Sequence, residues 1–134
     1  MAIRSLSGLD AGFLYIETPE APMHVGALAL FAYPDKMQGA LIDHVRAHLA
    51  SRLHLSGVLH QRLALMPFDL GHPIWVNADD IDLEQHVRAA KLPKAGSLAA
   101  LEKLVAKLHA EPLDRSRPLW QFWIIEGLRD GGFA

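Results

Sequence analysis

The run Leu113-Asp114-Arg115-Ser116-Arg117-Pro118-Leu119-Trp120-Gln121-Phe122-Trp123-Ile124-Ile125-Glu126-Gly127-Leu128 joins a polar loop to an aromatic strand. Its first half is a polar loop. Pro118 fixes its own φ and so pins the entry to the second half. Residues 119–128 are rich in aromatic and β-branched side chains, the composition that suits a pleated, half-buried surface, and they predict a strand. Alternation then puts Trp120 and Phe122 on one face and Gln121 and Trp123 on the other. Just upstream, Leu98, Leu101, Leu104, Val105 and Leu108 form one apolar stripe with Lys103 and Lys107 opposite it. Ser97 is the expected cap, and Pro112 stops the helix at about Ala110. Pro93-Lys94-Ala95-Gly96 reads as a break, and residues 83–92 as an extended segment or a short helix, the strand being favoured.

Further out, Ser7 to Ile16 predicts a short helix capped by Ser7, with Asp10 in its first turn. In Met23–Tyr33, Met23, Val25, Ala27, Ala29 and Phe31 alternate with His24, Gly26, Leu28 and Leu30, and the second half is apolar on both faces. That pattern predicts a central strand covered on both sides. Leu41, Ile42, Val45, Leu49 and Leu53 share one face of a helix over residues 38–53. Less regular chain, helical only in turns, then leads to short strands over residues 62–66 and 74–76. Asp130-Gly131-Gly132 is a hairpin-type turn, and Phe133-Ala134 opens a return strand. These elements make one α/β unit without repeats or linkers.

Composition narrows the function. The chain has 134 residues, of which 51% are hydrophobic and 21% charged. Disorder requires the opposite balance, whereas this one leaves apolar surface to be covered by a partner domain, a membrane surface or a lipid. A net charge of −2 supplies no field for nucleic acid phosphates. The absence of cysteine removes disulfides, thiol nucleophiles and Cys-based zinc sites. Residues 1–7 lack the apolar core of a signal peptide, and no apolar run approaches the roughly 20 residues of a membrane span. A soluble or peripheral protein is expected.

Eight histidines invite a metal reading. His44 and His48 lie four apart on a predicted helix, but no Glu follows the first as a zinc-protease motif needs, and helix-edge positions account for both. His24, at the start of the predicted central strand, is either a hydrogen-bonded strand-end residue or a general base near neutral pH. Gly26 beside it fits close approach by a backbone or a ligand. Gly-x-Ser-x-Gly and phosphate-binding glycine loops are absent. Asp79, Asp80 and Asp82 read as a solvated acidic loop. The aromatic face at Trp120 and Phe122 is explained by core packing or by lining a lipid-sized groove.

The ordered set of segments resembles one known family. Leu6-Ser7-Gly8-Leu9-Asp10-Ala11-Gly12-Phe13-Leu14 is similar to its opening, and Met23-His24-Val25-Gly26-Ala27-Leu28 to its first strand. Arg62-Leu63, Pro73-Ile74-Trp75-Val76, Asp82-Leu83-Glu84-Gln85-His86-Val87 and Leu92-Pro93 come next in order. The run from Leu113 to Leu128 is the most specific. Together they resemble the bacterial wax ester synthase/acyl-CoA:diacylglycerol acyltransferase family.

The resemblance implies the N-terminal part of a chloramphenicol acetyltransferase-like fold, α/β with a mixed sheet and flanking helices, over residues 1–134. It implies transfer of a long-chain acyl group from acyl-CoA to a fatty alcohol or diacylglycerol, with neither metal nor other cofactor. It also implies a cytoplasmic protein in contact with the inner membrane or lipid droplets. The family's His-His-x-x-x-Asp-Gly motif, whose histidine is the general base, does not occur in this sequence. No catalytic residue therefore carries over, and activity is expected to need the rest of the acyltransferase. Pro118, Leu119 and Trp120 carry over as a wall of the substrate channel or its support. A truncated binding module of the same fold is the alternative.

Overall fold

A computed structural model describes residues 4–134. The signal-peptide reading therefore lies partly outside the described residues. The architecture is mixed α/β, arranged around two small sheets. In the first, β1 (Arg4–Ser5), β3 (Ile74–Asn77) and β2 (Gln61–Ala64) lie antiparallel in the order β1-β3-β2, with Leu63 opposite Trp75. Helix α1 (Gly8–Ile16) packs on it, burying Leu6, Ala11 and Leu63 against Leu14, Trp75 and Leu119. Its start is as read: Ser7 Oγ accepts from the Asp10 N–H at 3.1 Å and donates to the Asp10 carboxylate at 2.8 Å. That arrangement satisfies one of the helix's orphan donors.

The second sheet is a parallel pair, β4 (Val87–Gly96) and β5 (Phe122–Leu128), with Ala89 opposite Ile124. Parallel neighbours need a long crossover, and α4 (Leu98–His109) supplies it, capped by Ser97 as expected. Its apolar stripe seats Leu101, fully buried, against Leu92, Ile125 and Ala134. Burying one such leucine contributes about 1.5–3 kcal/mol. Helix α2 (Leu41–Ala50) lies against β4, where Arg46 donates two hydrogen bonds to the Val87 carbonyl. Short 3-10 turns at Leu53–Leu55, Gly57–His60 and Pro67–Asp69 carry the chain around β2. An isolated bridge from Arg62 to Pro118 ties β2 to the chain that leads into β5.

Several expectations are corrected. Met23–Tyr33 is not a strand among the described residues: only Phe31 pairs, in a bridge to Phe133. Strand geometry requires a ladder partner, and residues 23–30 have none here, so Val25 stands 95% exposed. The Pro93 break is a register shift inside β4, between the Lys91 and Gly96 pairings, rather than a strand end. A proline cannot donate to a ladder and is tolerated at such an irregularity. Residues 83–92 divide into one helical turn, α3 (Leu83–His86), capped by Asp82, and the first half of β4. The predicted strand at 119–128 starts only at Phe122, because the Trp120 N–H bonds the Pro118 carbonyl at 2.9 Å and the Trp120 carbonyl is taken by His86. The helix expected over 38–53 is shorter, giving way to a 3-10 turn at Leu53.

Phe133 and Ala134 lie back alongside β5 in isolated pairings and not as a strand. Ile125 and Ala134 exchange both backbone hydrogen bonds, at 2.7 and 2.9 Å, and Phe133 does the same with Phe31 at 2.8 and 2.9 Å. The last two residues thus sit between β5 and Phe31.

Candidate functional site

A groove of about 890 Å³ runs between the segment after α1, the far face of α4 and the chain leading into β5. Its construction starts at Glu17, which closes α1 by donating its N–H to the Phe13 carbonyl. Thr18 and Ala21 then pair across a tight reversal around Pro19. The turn sends Met23 back past Glu17, whose carboxylate accepts the Met23 N–H at 2.9 Å. Residues 23–28 consequently form one wall, and Val105, Ala106 and His109 of α4 form another.

Arg115 fastens the third side. Its Nη2 donates to the Leu14 carbonyl at 2.7 Å and to the Glu17 carboxylate at 2.9 Å. The Met23 N–H, together with the Arg115 hydrogen bond and charge, holds the Glu17 carboxyl below its usual range, against the opposing effect of burial. The adjacent Asp114 accepts from both the Ser116 hydroxyl and N–H, and its carboxyl is held low by those bonds. The segment read from the sequence as a polar loop is therefore a clasp.

Leu119 and Trp120 line the groove, and Pro118 does not. Pro118 is buried and bridged to Arg62, a support for its two neighbours. Trp120 is held on both sides. Its indole N–H donates to the Leu59 carbonyl at 2.9 Å, and its ring stacks on buried His86 with centroids 4.2 Å apart. His86 Nδ1 faces the Trp120 carbonyl at 2.8 Å, so that nitrogen carries the proton. Phe122 lies beside Trp120 at 5.6 Å and Trp123 donates to Gln121 at 3.1 Å, but both tryptophans line the groove, where the alternation expected from the sequence set them on opposite faces.

His24 and His109 meet in the same groove, with rings edge-on and centroids 4.5 Å apart. Gly26 makes that contact feasible: a Cβ there would lie 2.9 Å from His109 Nδ1. The approach expected at Gly26 is thus made by a side chain. Sequence reasoning missed Glu17 and His109 as site residues. Nothing in the spacing marks His109, whereas Arg115 stands inside the run from Leu113 to Leu128. His44 and His48 each engage a protein partner, the Gln38 carbonyl and Arg52 respectively.

The groove's charged lining is Glu17, Glu102, Glu111 and Arg115, the last already paired. Most of its remaining walls are apolar side chains. Chemically it suits an uncharged, largely hydrocarbon ligand with few polar atoms.

The family model described as "wax ester synthase/diacylglycerol acyltransferase catalytic domain" matches residues 6–134. The chain belongs to the wax ester synthase/diacylglycerol acyltransferase family. Two similar members come from Mycobacterium tuberculosis and are named as probable diacylglycerol O-acyltransferases. One, tgs1, is 44% identical over 131 residues, covering 96% of this chain and 27% of its own. The other, tgs2, is 42% identical over 129 residues, covering 93% and 28%. Among solved structures, the wax ester synthase/diacylglycerol acyltransferase from Marinobacter aquaeolei VT8 superposes with a TM-score of 0.81 at 35% identity, over 97% of this chain and 31% of that one. This family member thus spans less than a third of the length of those relatives.

Proposed function

We propose that the groove is a lipid-binding wall of an O-acyltransferase, which in the full-length protein moves a long-chain acyl group from acyl-CoA to a fatty alcohol or diacylglycerol. The observation that carries this reading is the groove itself. Its volume falls in the range of about 300–1,000 Å³ usual for small-molecule sites, its walls are mainly hydrocarbon, and Leu119 and Trp120 of the family's motif lie in it. Trp120 and the Arg115 clasp preorganise the wall, which reduces the ordering cost of binding a flexible chain.

The histidine that takes the proton from the attacking hydroxyl is assigned to the His-His-x-x-x-Asp-Gly motif, which these residues do not contain. The 134 residues alone are expected to turn over no substrate. The acyl carrier and the acceptor are substrates, and no further cofactor is invoked. Among the described residues no helix is long and apolar enough to cross a membrane. Contact with a membrane or droplet surface would deliver such substrates.

Filling the groove tests the reading. Ala106 lies on α4, is exposed and lines the groove. In the full-length protein Ala106→Trp should lower kcat/KM with palmitoyl-CoA and hexadecanol by about tenfold or more, with less loss for shorter chains. Unchanged kinetics in a folded variant would remove the groove from the substrate path.

A further inference from the structure

The histidines divide into two kinds. His44, His48, His60, His72 and His86 each hydrogen-bond another protein atom. His24, His54 and His109 make no such bond among the described residues; of these His24 and His109 lie in the groove, and His24 Nδ1 is enclosed without a partner. An enclosed polar nitrogen left unpaired is destabilising, so a site that keeps one calls for an explanation. These two imidazoles also touch each other and share the groove. The strand-end hydrogen bond that would have made His24 merely structural is not present.

The surroundings restrict what could complete the pair. Three carboxylates and one already paired guanidinium line the groove, so a phosphate-bearing ligand would meet repulsion there. Within the apolar walls, an imidazole offers one donor or one acceptor on each ring nitrogen. A hydroxyl, able both to give and to accept, complements it whichever nitrogen carries the proton.

We propose that His24 is a polar anchor of the groove whose ring hydrogen-bonds the free hydroxyl of a long-chain lipid, with His109 setting the ring's orientation. This rests on the reading of the groove as a lipid site and assigns its acceptor end. The acid–base work stays with the His-His-x-x-x-Asp-Gly motif, and His24 is a binding and positioning residue.

Tryptophan emission of the full-length protein can report ligand entry, because Trp120 and Trp123 line the groove. The probes are 1-decanol and 1,2-dioctanoylglycerol, each against its O-methyl ether, which keeps the chain and removes the donor. Wild type should bind at least one hydroxyl compound about tenfold more tightly than its ether. His24→Phe should bring that pair within about twofold while leaving the ether's affinity in place. His24→Asn should recover part of the preference. Which of the two compounds shows the preference names the acceptor class.

Equal affinity for alcohol and ether in wild type overturns the proposal. So does a preference that survives His24→Phe, or an equal loss for both compounds, which marks packing alone. If His24→Phe does not fold, the ¹⁵N shift of the His24 ring in wild type decides: it must move with the alcohol and not with the ether. Should neither alcohol nor ether enter wild type, the lipid reading of the groove fails first and the anchor with it.

Discussion

Arg115 meets Glu17 across 98 residues of chain, Nη2 to Oε1 at 2.9 Å, and the same nitrogen holds the Leu14 carbonyl at 2.7 Å. One side chain therefore fixes the end of α1 to the segment that carries the groove's aromatic wall. Arg115→Ala should destabilise the fold by about 1 kcal/mol, below the range of about 1.5–3 kcal/mol for hydrogen bonds to charged groups because the guanidinium is 44% exposed. Arg115→Lys should recover part of the loss, since both bonds leave a single nitrogen and an ammonium also carries several donors, on a shorter stem. Urea denaturation at pH 7 measures both.

Acid should loosen the same clasp. The Glu17 carboxyl is held low in the folded state, first by the Met23 N–H and then by Arg115. Its stabilisation is complete above the unfolded value of about 4.5 and is lost as pH falls through the lower folded value. Glu17→Gln should flatten the stability–pH curve below about pH 4.5 and leave its shape near neutrality unchanged. Denaturation midpoints between pH 3 and 7 would refute this by keeping the same slope in the variant.

At alkaline pH a different contact decides. Tyr33 donates its hydroxyl to Glu126 and is pushed up to about 12, chiefly by burial, then by that hydrogen bond and the carboxylate's charge. The stability it adds is fully present below the unfolded value near 10 and is lost as pH rises towards 12. Absorbance at 295 nm should show one tyrosine titrating late, and Tyr33→Phe should remove that step.

Two glycines should respond differently to alanine. At Gly96 a Cβ would lie 2.4 Å from the Gly127 carbonyl oxygen and 2.7 Å from Leu92 Cδ1, so backbone would have to move. Gly96→Ala should cost about 2–3 kcal/mol, in the range of overpacked cores. Gly131 has a φ of +80° and open space around it, so Gly131→Ala should cost only the left-handed penalty of about 1 kcal/mol. Chemical denaturation of the pair separates crowding from backbone strain.

The two indoles can be ranked in the same way. Trp120 bonds the partly buried Leu59 carbonyl, whereas Trp123 bonds the exposed Gln121 side chain. Trp120→Phe should cost about 1–2 kcal/mol, and Trp123→Phe about 0.5 kcal/mol or less. Equal losses would mean that ring packing, and not the indole N–H, sets both values.

What local chemistry controls is legible from residue order. Ser7 and Ser97 cap the helices predicted for them, and Leu101, Leu104, Val105 and Leu108 of the α4 stripe pack in or against the core, with Leu98 at the helix start left exposed. Each is settled by residues within one or two turns or a few strand positions, where side-chain type and backbone period suffice. The ordered motifs likewise identified the family. Tertiary structure alone decided whether Met23–Tyr33 becomes a strand, because a ladder needs a neighbour and an alternating pattern does not supply one. It alone decided that β4 and β5 pair in parallel and that Arg115 reaches Glu17. It also brought His24 against His109 through the gap left by Gly26. Those contacts join residues far apart along the chain, and their geometry exists only after the chain has folded around α4.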